Sequence, residues 1–290
     1  MSFALEQMKQ VRFIDVQWRS IRWITKLGAM LLPVFMLSAC SSPRIDHSLC
    51  DLRVLSLQIP RQSADVVVYA SPAGVERLKL SQEKFNLALG AVNANYTNHD
   101  GMNKILKDAS TINANIDVLV KHQDQIEALQ NFDLYLQENI PEIQAEYNLL
   151  TDHLTRLNYP SSQVIIAKNQ VFVAERILRS MHKVTLGDKH LVENIDDFFA
   201  DLETFSLYLE AQLKGNPELG VKRVKDAEGR ESLLSIQKST QEILASRELN
   251  LLSKREFLSI VYQAARENLT KSDELFNGLN ELMLNTQSGQ

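Results

Sequence analysis

Apolar residues recur every three or four positions along most of the chain after residue 45. This spacing places them on one face of an α-helix, with charged residues on the other face. Two segments show the pattern most plainly: Phe198, Leu202, Phe205, Leu209 and Leu213 in the first, and Leu233, Ile236, Thr240, Ile243 and Leu244 in the second. No stretch alternates apolar and polar residues for long, which argues against a β protein. The pattern predicts an all-α fold with about eight helical segments joined by short turns.

Turn-forming residues divide these helical segments. Ser71-Pro72-Ala73-Gly74 is expected to open a helix, because proline is favoured at the first helical position. Asn158-Tyr159-Pro160-Ser161-Ser162 is the best boundary between two halves. Three apolar residues of the first half recur at a shift of 118 positions, Leu55, Ile59 and Val66 as Val173, Ile177 and Val184. We therefore predict two tandem antiparallel helical-bundle modules of about four helices each, in residues 40–160 and 161–290.

The N-terminal segment has the pattern of an export signal. Basic residues precede an apolar run over residues 27–39, and the run ends in Leu37-Ser38-Ala39-Cys40. Such a run suits the apolar region of a signal peptide, about 7–15 residues, and is short for a spanning helix of about 20. The four residues resemble the lipobox of bacterial lipoproteins, in which the cysteine is acylated. We expect residues 1–39 to be a signal peptide and Cys40 the lipidation site. The alternative is a membrane helix that continues past Cys40.

Charge and motif content exclude several function classes. The formal net charge is −5 and the chain has no cluster of Lys and Arg, which argues against nucleic acid as a partner. His182 and His190 are eight positions apart with Asp188 between them, a spacing unlike that of metal sites. Phosphate-binding, dinucleotide-binding and nucleophile-elbow motifs are missing from the sequence. We therefore predict no catalytic residues, no metal and no cofactor, and a protein that is not an enzyme. Arg223 and Asp226 are expected to form a structural pair that fixes a turn.

Two stretches of the chain carry a recognisable family pattern. Residues 215–226 read Gly-Asn-Pro-Glu-Leu-Gly-Val-Lys-Arg-Val-Lys-Asp, and residues 51–56 read Asp-Leu-Arg-Val-Leu-Ser, followed by Ile59. The first stretch closely follows Gly-Asn-x-x-Leu-Gly-Ile-x-Arg-Val-x-Asp, and the second Leu-Arg-Val/Met-Leu-Ser-Gln-Arg-Ile-Ala. Together they resemble the N-terminal sensor domain of type IV pili methyl-accepting chemotaxis transducers, the PilJ-type domain. The resemblance extends over about residues 45–285.

The chain also departs from that family pattern. Where the family has Gln-Arg-Ile-Ala, the chain has Leu57-Gln58-Ile59-Pro60, so we expect Pro60 to kink or end the first helix. In the second half, Ala174-Glu175-Arg176-Ile177 stands for Ser-Gln-Arg-Ile and keeps the arginine. Transducers of the family continue through a second membrane helix into a signalling coiled coil. The sequence has no apolar segment after Cys40 long enough to span a membrane, so we expect the sensor part alone.

The resemblance implies candidate ligand-binding residues. In related nitrate-sensing domains, an arginine of the first long helix binds a small anion at a bundle interface. A guanidinium suits this role because its planar fork of donors matches an oxyanion. By position, Arg53 is the nearest candidate here, with Ser56 one turn away, and Arg61 and Arg176 follow on the same argument. The alternative is that Arg53 is a solvated or salt-bridged helix residue.

These observations leave three functional hypotheses. The first is a lipid-anchored, periplasm-facing sensory module that binds a small anion, another small molecule or a peptide. It would act through a partner, such as a type IV pilus component or a chemotaxis transducer, and a homodimer is a further candidate assembly. The second is a structural or interaction lipoprotein that docks on an envelope or pilus complex without a small ligand. The third is a degraded transducer that keeps only the fold. Ser41 after the lipobox points to the outer membrane, whereas an N-terminal helix would place the chain in the inner membrane.

Overall fold

The computed structural model describes residues 47–288, and this part of the chain confirms the all-α prediction. Its helices are α1 (His47–Tyr69), α2 (Pro72–Tyr96), α3 (Met102–Lys121), α4 (Gln123–Arg156), α5 (Ser161–Thr185), α6 (Leu191–Lys214), α7 (Ala227–Leu244), α8 (Glu248–Ser253) and α9 (Glu256–Ser288). Within residues 47–288, the only β pairing is a single bridge between Asn216 and Val221. No helix in the same range combines the length and the apolar run that crossing a membrane requires.

Local sequence explains where several of these helices begin. The Ser71 hydroxyl accepts a hydrogen bond from the Gly74 backbone N–H at 3.0 Å, with Pro72 in the first helical turn. Asp226 caps α7 in the same way, because its Oδ1 accepts from the Gly229 N–H at 2.7 Å. A capping oxygen of this kind satisfies one of the free N–H groups at a helix start. The predicted helix start at Ser71–Gly74 is therefore confirmed.

Two prolines lie inside helices. Pro60 does not end α1, which continues to Tyr69, and Pro141 lies within α4, which runs from Gln123 to Arg156. Each proline lacks the N–H that a helical hydrogen bond would use. Packing of the long helices against their neighbours therefore outweighs the loss of one backbone hydrogen bond at each of these positions.

Helix packing sorts the long helices into two groups of four. The first group contains α1, α2 and α3 together with α9, which packs against α1 and α3. The second group contains α4, α5, α6 and α7, with α5 between α4 and α6, and α7 against α4 and α6. In chain order, α1–α3 of the first group are followed by α4–α7 of the second group, and α9 then completes the first group.

The sequence boundary at Pro160 lies inside the second group. It falls between α4 and α5, which pack against each other along their length. The first group, in turn, combines residues from both halves of the chain. The helix groups therefore differ from a division into residues 40–160 and 161–290, because α9 pairs with α1 across nearly the whole chain.

The two helix groups meet at a junction of four helix ends. Gln130, near the start of α4, donates from Nε2 to the carbonyl of Val67 in α1 at 3.0 Å and to that of Thr185 in α5 at 3.2 Å. Tyr262, near the start of α9, donates its hydroxyl hydrogen to the carbonyl of Val184 at 2.6 Å. Side chains of α4 and α9 thus hold the last turns of α1 and α5 together.

The first and last described helices run antiparallel to each other. Asn268 of α9 donates from Nδ2 to the Ser63 hydroxyl of α1 at 3.0 Å, and Arg53 of α1 reaches the sulfur of Met283 at 3.5 Å. The start of α1 and the end of α9 therefore lie together, at the end of the first group that is remote from the junction.

Candidate functional site

Arg53 lies at the α1–α9 interface, with its side chain against two residues of α9. The centre of its guanidinium is 5.2 Å from the ring centroid of Phe276, and its Nη1 is 3.5 Å from the sulfur of Met283. Its Nε is buried and has no hydrogen-bond partner among the described residues. Burial lowers the pKa of Arg53. A cation above an aromatic face is attracted to the ring. Neither Phe276 nor Met283, however, carries the negative charge with which a guanidinium forms a salt bridge.

Ser56 is fully buried one turn after Arg53. Its hydroxyl donates to the carbonyl of Arg53, at an Oγ–O distance of 2.7 Å. A serine hydroxyl that bonds back to its own helix has its single hydrogen engaged. The structure thus places Ser56 on the same helix turn as Arg53 and directs its hydrogen to the backbone.

Arg176 lies in the second group, far along the chain from Arg53, and has a charged partner. Its Nε donates to Asp201 Oδ2 at 2.9 Å, and its Nη2 contacts Oδ1 of the same carboxylate. The Asp201 side chain is only 7% exposed, whereas that of Arg176 is 57% exposed. The hydrogen bond to Asp201 raises the pKa of Arg176. Such a two-point pair joins α5 to α6 and occupies the fork that an anion would use.

The sequence analysis missed a row of polar residues on α9. Asn268, Ser272 and Asn280 recur at spacings of four and eight, which places them along one side of the helix. Asn268 and Ser272 are fully buried, and each of the three has a buried oxygen with no hydrogen-bond partner in the described part of the chain. Polar residues at helical spacing among apolar ones could have revealed this row, but the sequence does not say which helix faces it.

An open groove runs along the outer edge of the α1–α9 interface, next to the junction. We call it the junction groove. Its volume is about 460 Å³, within the range of about 300–1,000 Å³ that small-molecule sites occupy. Its lining residues come from α1, from α9 and from the turn after α5: Ser56, Leu57, Pro60, Arg61, Ala64, Val67, Val68, Leu186, Gly187, Tyr262, Ala265, Arg266, Leu269 and Asp273.

Two arginines from different helices line the junction groove. Arg61 is on α1, and Arg266 is on α9, where its Nη1 donates to the Gly187 carbonyl at 3.3 Å. Neither arginine has a carboxylate within 4.0 Å among residues 47–288, although Asp273 is also in the lining. Arg61 was one of the weaker sequence candidates, and Arg266 was not recognised, because the pairing of α1 with α9 is not visible in the sequence.

One end of the junction groove is closed by the turn between α5 and α6. Tyr262 anchors this end, and its hydroxyl also reaches the Thr185 carbonyl at 3.1 Å. Gly187 lies under the Tyr262 ring with φ +66°, and a Cβ at this position would lie 2.4 Å from a ring carbon. Burial, followed by the nearby Asp133 carboxylate, raises the pKa of Tyr262, so the hydroxyl keeps its proton.

The Gly-Asn stretch forms a structural loop at the other end of the second group. Gln163 of α5 holds this loop, donating to the Gly220 carbonyl at 3.0 Å and accepting from the Lys222 N–H at 2.9 Å. Asp226 bonds to Gly229, to the Tyr159 hydroxyl at 3.0 Å and to His153 Nε2 at 2.5 Å. The predicted partner was Arg223, and the structure corrects this: the nearby His153 and Tyr159 fix the turn instead.

The two histidines of the sequence analysis contact carboxylates. His182 Nδ1 is 3.3 Å from Asp133 Oδ2, and His190 Nδ1 is 2.9 Å from Glu193 Oε2. In residues 47–288, no group of three or more His, Cys, Asp or Glu side chains is arranged to hold a metal ion. The predicted lipidation site, Cys40, lies outside the described residues, as does the apolar run before it.

Sequence comparison supports a region like that of PilJ-type chemotaxis transducers. AlkN of Alcanivorax borkumensis, a protein named for methyl-accepting chemotaxis, is 27% identical over 90% of the chain. PilJ of Pseudomonas aeruginosa is 32% identical over 51% of the chain. No protein-family profile matches the chain. The match covers 39% of the length of AlkN and 22% of that of PilJ. The chain is thus similar to a sensory-type region of chemotaxis transducers and spans less than half of either relative.

Proposed function

We propose that this protein is a membrane-anchored, periplasm-facing sensory module of the type IV pilus chemotaxis class. The observation that supports it most is the similarity to a chemotaxis protein over 90% of the chain. In this proposal, a ligand that binds the helical region changes the packing of α1 against α9. This change in packing is transmitted to a partner protein through the end of the first group at which α1 begins and α9 ends.

The anchor in this proposal is a lipid on Cys40, and the protein resides in the outer membrane. The lipobox-like Leu37-Ser38-Ala39-Cys40 supports it. A lipid chain holds a protein at one face of a bilayer and does not cross it. The module would then act on a partner on the same side of the membrane, such as a type IV pilus component or a transducer. A second copy of the chain is a further candidate partner.

The ligand in this proposal is a small anion or a peptide, with Arg53 as a candidate contact. Its support is the buried Nε of Arg53, which has no hydrogen-bond partner among the described residues. A buried donor without a partner costs about 1–3 kcal/mol, and an oxyanion would satisfy it. Ser56 and Arg176 remain candidates of lower rank, because the Ser56 hydroxyl bonds to a backbone carbonyl and Arg176 pairs with Asp201.

An interaction protein without a small ligand is the second candidate function. Large apolar side chains on two helices support it, since Leu87 of α2 is 76% exposed and Phe172 of α5 is 60% exposed. Exposed apolar residues mark a contact surface when they cluster, and Leu87 lines a surface groove together with the exposed Val54 of α1. This function predicts an envelope protein that co-purifies with the chain and is lost in a Leu87→Glu or a Phe172→Glu variant.

A chimera tests the sensory proposal. Residues 47–288 replace the matched region of a type IV pilus chemotaxis transducer, and kinase output is measured against a metabolite and anion panel. A ligand-dependent change in output supports the sensory function. Output that is fixed under all conditions, with the chimera folded and inserted, contradicts it and favours the interaction protein.

Palmitate labelling tests the anchor. The wild-type chain should incorporate the label and fractionate with outer membranes, and Cys40→Ser should lose both properties. Ser42→Ala, which leaves both cysteines in place, is the matched control and should keep the label. Equal absence of label from wild type and Cys40→Ser contradicts lipidation.

A further inference from the structure

We propose that the junction groove binds an aliphatic carboxylate, with the hydrocarbon chain along the groove and the carboxylate between Arg61 and Arg266. The inference rests on the proposed sensory function and names the ligand class and the site. The junction groove is a different site from the one proposed at Arg53, because the groove opens on the outer edge of the α1–α9 interface.

The walls of the junction groove suit a hydrocarbon chain. On α1 they are formed by residues at one helical face, Leu57, Pro60, Ala64 and Val68, and on α9 by Tyr262, Ala265 and Leu269. Leu57 and Leu269 are about half exposed. Covering these exposed carbon atoms removes apolar surface from water, which is the main favourable term for such a ligand.

The charges of the groove select an anionic head group. Arg61 and Arg266 lie on opposite walls, and neither has a carboxylate within 4.0 Å in the described part of the chain. Asp273, about two helical turns after Arg266 on α9, is the one acidic residue of the lining. Two guanidinium groups and one carboxylate leave a net positive site. A guanidinium donates two parallel hydrogen bonds to a carboxylate, a geometry that an ammonium or alcohol ligand does not offer.

The closed end of the groove is built before the ligand arrives. Arg266 is held by the Gly187 carbonyl, and Tyr262 is held by two carbonyls of the last turn of α5. Pre-formed walls lower the entropy cost of binding. A volume of about 460 Å³ lies within the range of small-molecule sites. The site therefore fits a free aliphatic acid better than a folded partner.

Calorimetry and thermal shift with four probes test this ligand class on the full chain. The probes are octanoate, octan-1-ol, octylammonium and acetate, which vary chain and charge separately. We expect octanoate to bind and to raise the melting temperature, octan-1-ol to bind at least tenfold more weakly, and octylammonium and acetate to show no saturable binding.

Substitutions on the groove locate the site. Arg61→Ala and Arg266→Ala should each weaken octanoate binding about tenfold, and the double variant more than either. Ala64→Phe should block the groove with both arginines in place. Arg77→Ala, an exposed arginine of α2 outside the groove, is the matched control and should bind as the wild type does.

Three results overturn the proposal. They are no saturable binding of octanoate, octanoate affinity unchanged in Arg61→Ala and Arg266→Ala, and equal binding of octanoate and octylammonium. If octanoate fails to bind and the transducer chimera still responds to another compound, the ligand class is wrong and the sensory function stands. If octanoate binds and the chimera gives no output, the groove is a binding site and the sensory function is wrong.

Discussion

Ser63 and Ser272 are both buried in the α1–α9 interface but differ in their hydrogen bonds. Ser63 accepts from Asn268 Nδ2 at 3.0 Å, whereas Ser272 Oγ has no partner among the described residues. An unmade hydrogen bond of a buried group costs free energy, and removal of that group recovers it. The two residues should therefore respond to the same substitution with opposite signs.

For Ser272→Ala we expect the free energy of unfolding to rise by up to about 1 kcal/mol, since an orphaned hydroxyl is removed. For Ser63→Ala we expect it to fall by about 1–3 kcal/mol, since the Asn268 amide loses its acceptor. Urea denaturation followed by circular dichroism measures both. A loss of stability in Ser272→Ala as large as that in Ser63→Ala would show that the Ser272 hydroxyl is bonded.

Sequence reasoning placed Arg53 correctly on the first helix, next to Ser56, but could not supply its neighbours. Phe276 and Met283 are more than 220 positions away along the chain. Helical periodicity reports which face of a helix is apolar, and it contains no information on which distant helix covers that face. Arg61 and Arg266 line the same groove although they are far apart along the chain, and only the first of them was named from the sequence.

At the scale of single elements, the turn between α5 and α6 leaves no room for a side chain at Gly187. Gly187 has φ +66°, and the Tyr262 ring fills the space where a side chain would begin. Gly220 has the same φ of +66°, but no atom lies within 4 Å of its Cβ position. Substitutions at Gly187 and Gly220 can therefore be compared to separate two effects. Both positions share the backbone strain of a positive φ, whereas only Gly187 has a steric clash.

Gly187→Ala should cost roughly 1–3 kcal/mol more than Gly220→Ala, because it adds overpacking to the common strain of a positive φ. The free energy of unfolding of the two variants gives the difference directly. In Gly187→Ala, octanoate binding should also weaken as the closed end of the junction groove shifts. Equal destabilisation of the two variants would contradict the role assigned to Tyr262.

The cap of α7 predicts a dependence of stability on pH. Burial alone would raise the pKa of Asp226, but hydrogen bonds from Gly229, His153 and Tyr159 hold it below the ordinary value. An acid with a depressed pKa stabilises the fold above the pKa of the unfolded chain, about 3.9 for aspartate, and loses this contribution as pH falls. Asp226→Asn should therefore be less stable than wild type at neutral pH, and the gap should close below about pH 4. A gap that stays constant from pH 7 to pH 3 would contradict this assignment.

Short-range sequence rules predicted several helix boundaries. The start at Ser71–Gly74 and the break near Pro160 both agree with helix ends. Of the two outcomes predicted for Pro60, a helix end is wrong, since α1 runs through this residue. A helix packed along its length against α2 and α9 tolerates one missing backbone bond, and that packing is invisible to a local rule.

At the scale of the whole molecule, the helix groups predict which fragments fold. Residues 123–246 contain the whole second group, whereas residues 47–160 contain α1–α3 without α9 and α4 without its partners. We expect the first fragment to give a cooperative, helical thermal transition and the second to give none, because its apolar faces stay uncovered. Cooperative folding of residues 47–160 would instead support the tandem modules predicted from the sequence.

The return of α9 to the first group sets an order of events during synthesis. α1, α2 and α3 leave the ribosome early, but α9, which completes their core, emerges only after the whole second group. Contacts between residues so far apart along the chain form slowly, because a long loop must close first. The second group has all its helices in one continuous stretch and should reach its native state before the first. Until α9 has been synthesised, the apolar faces of α1 and α3 therefore need protection, and a chain cut short before α9 is a candidate for chaperone binding and proteolysis.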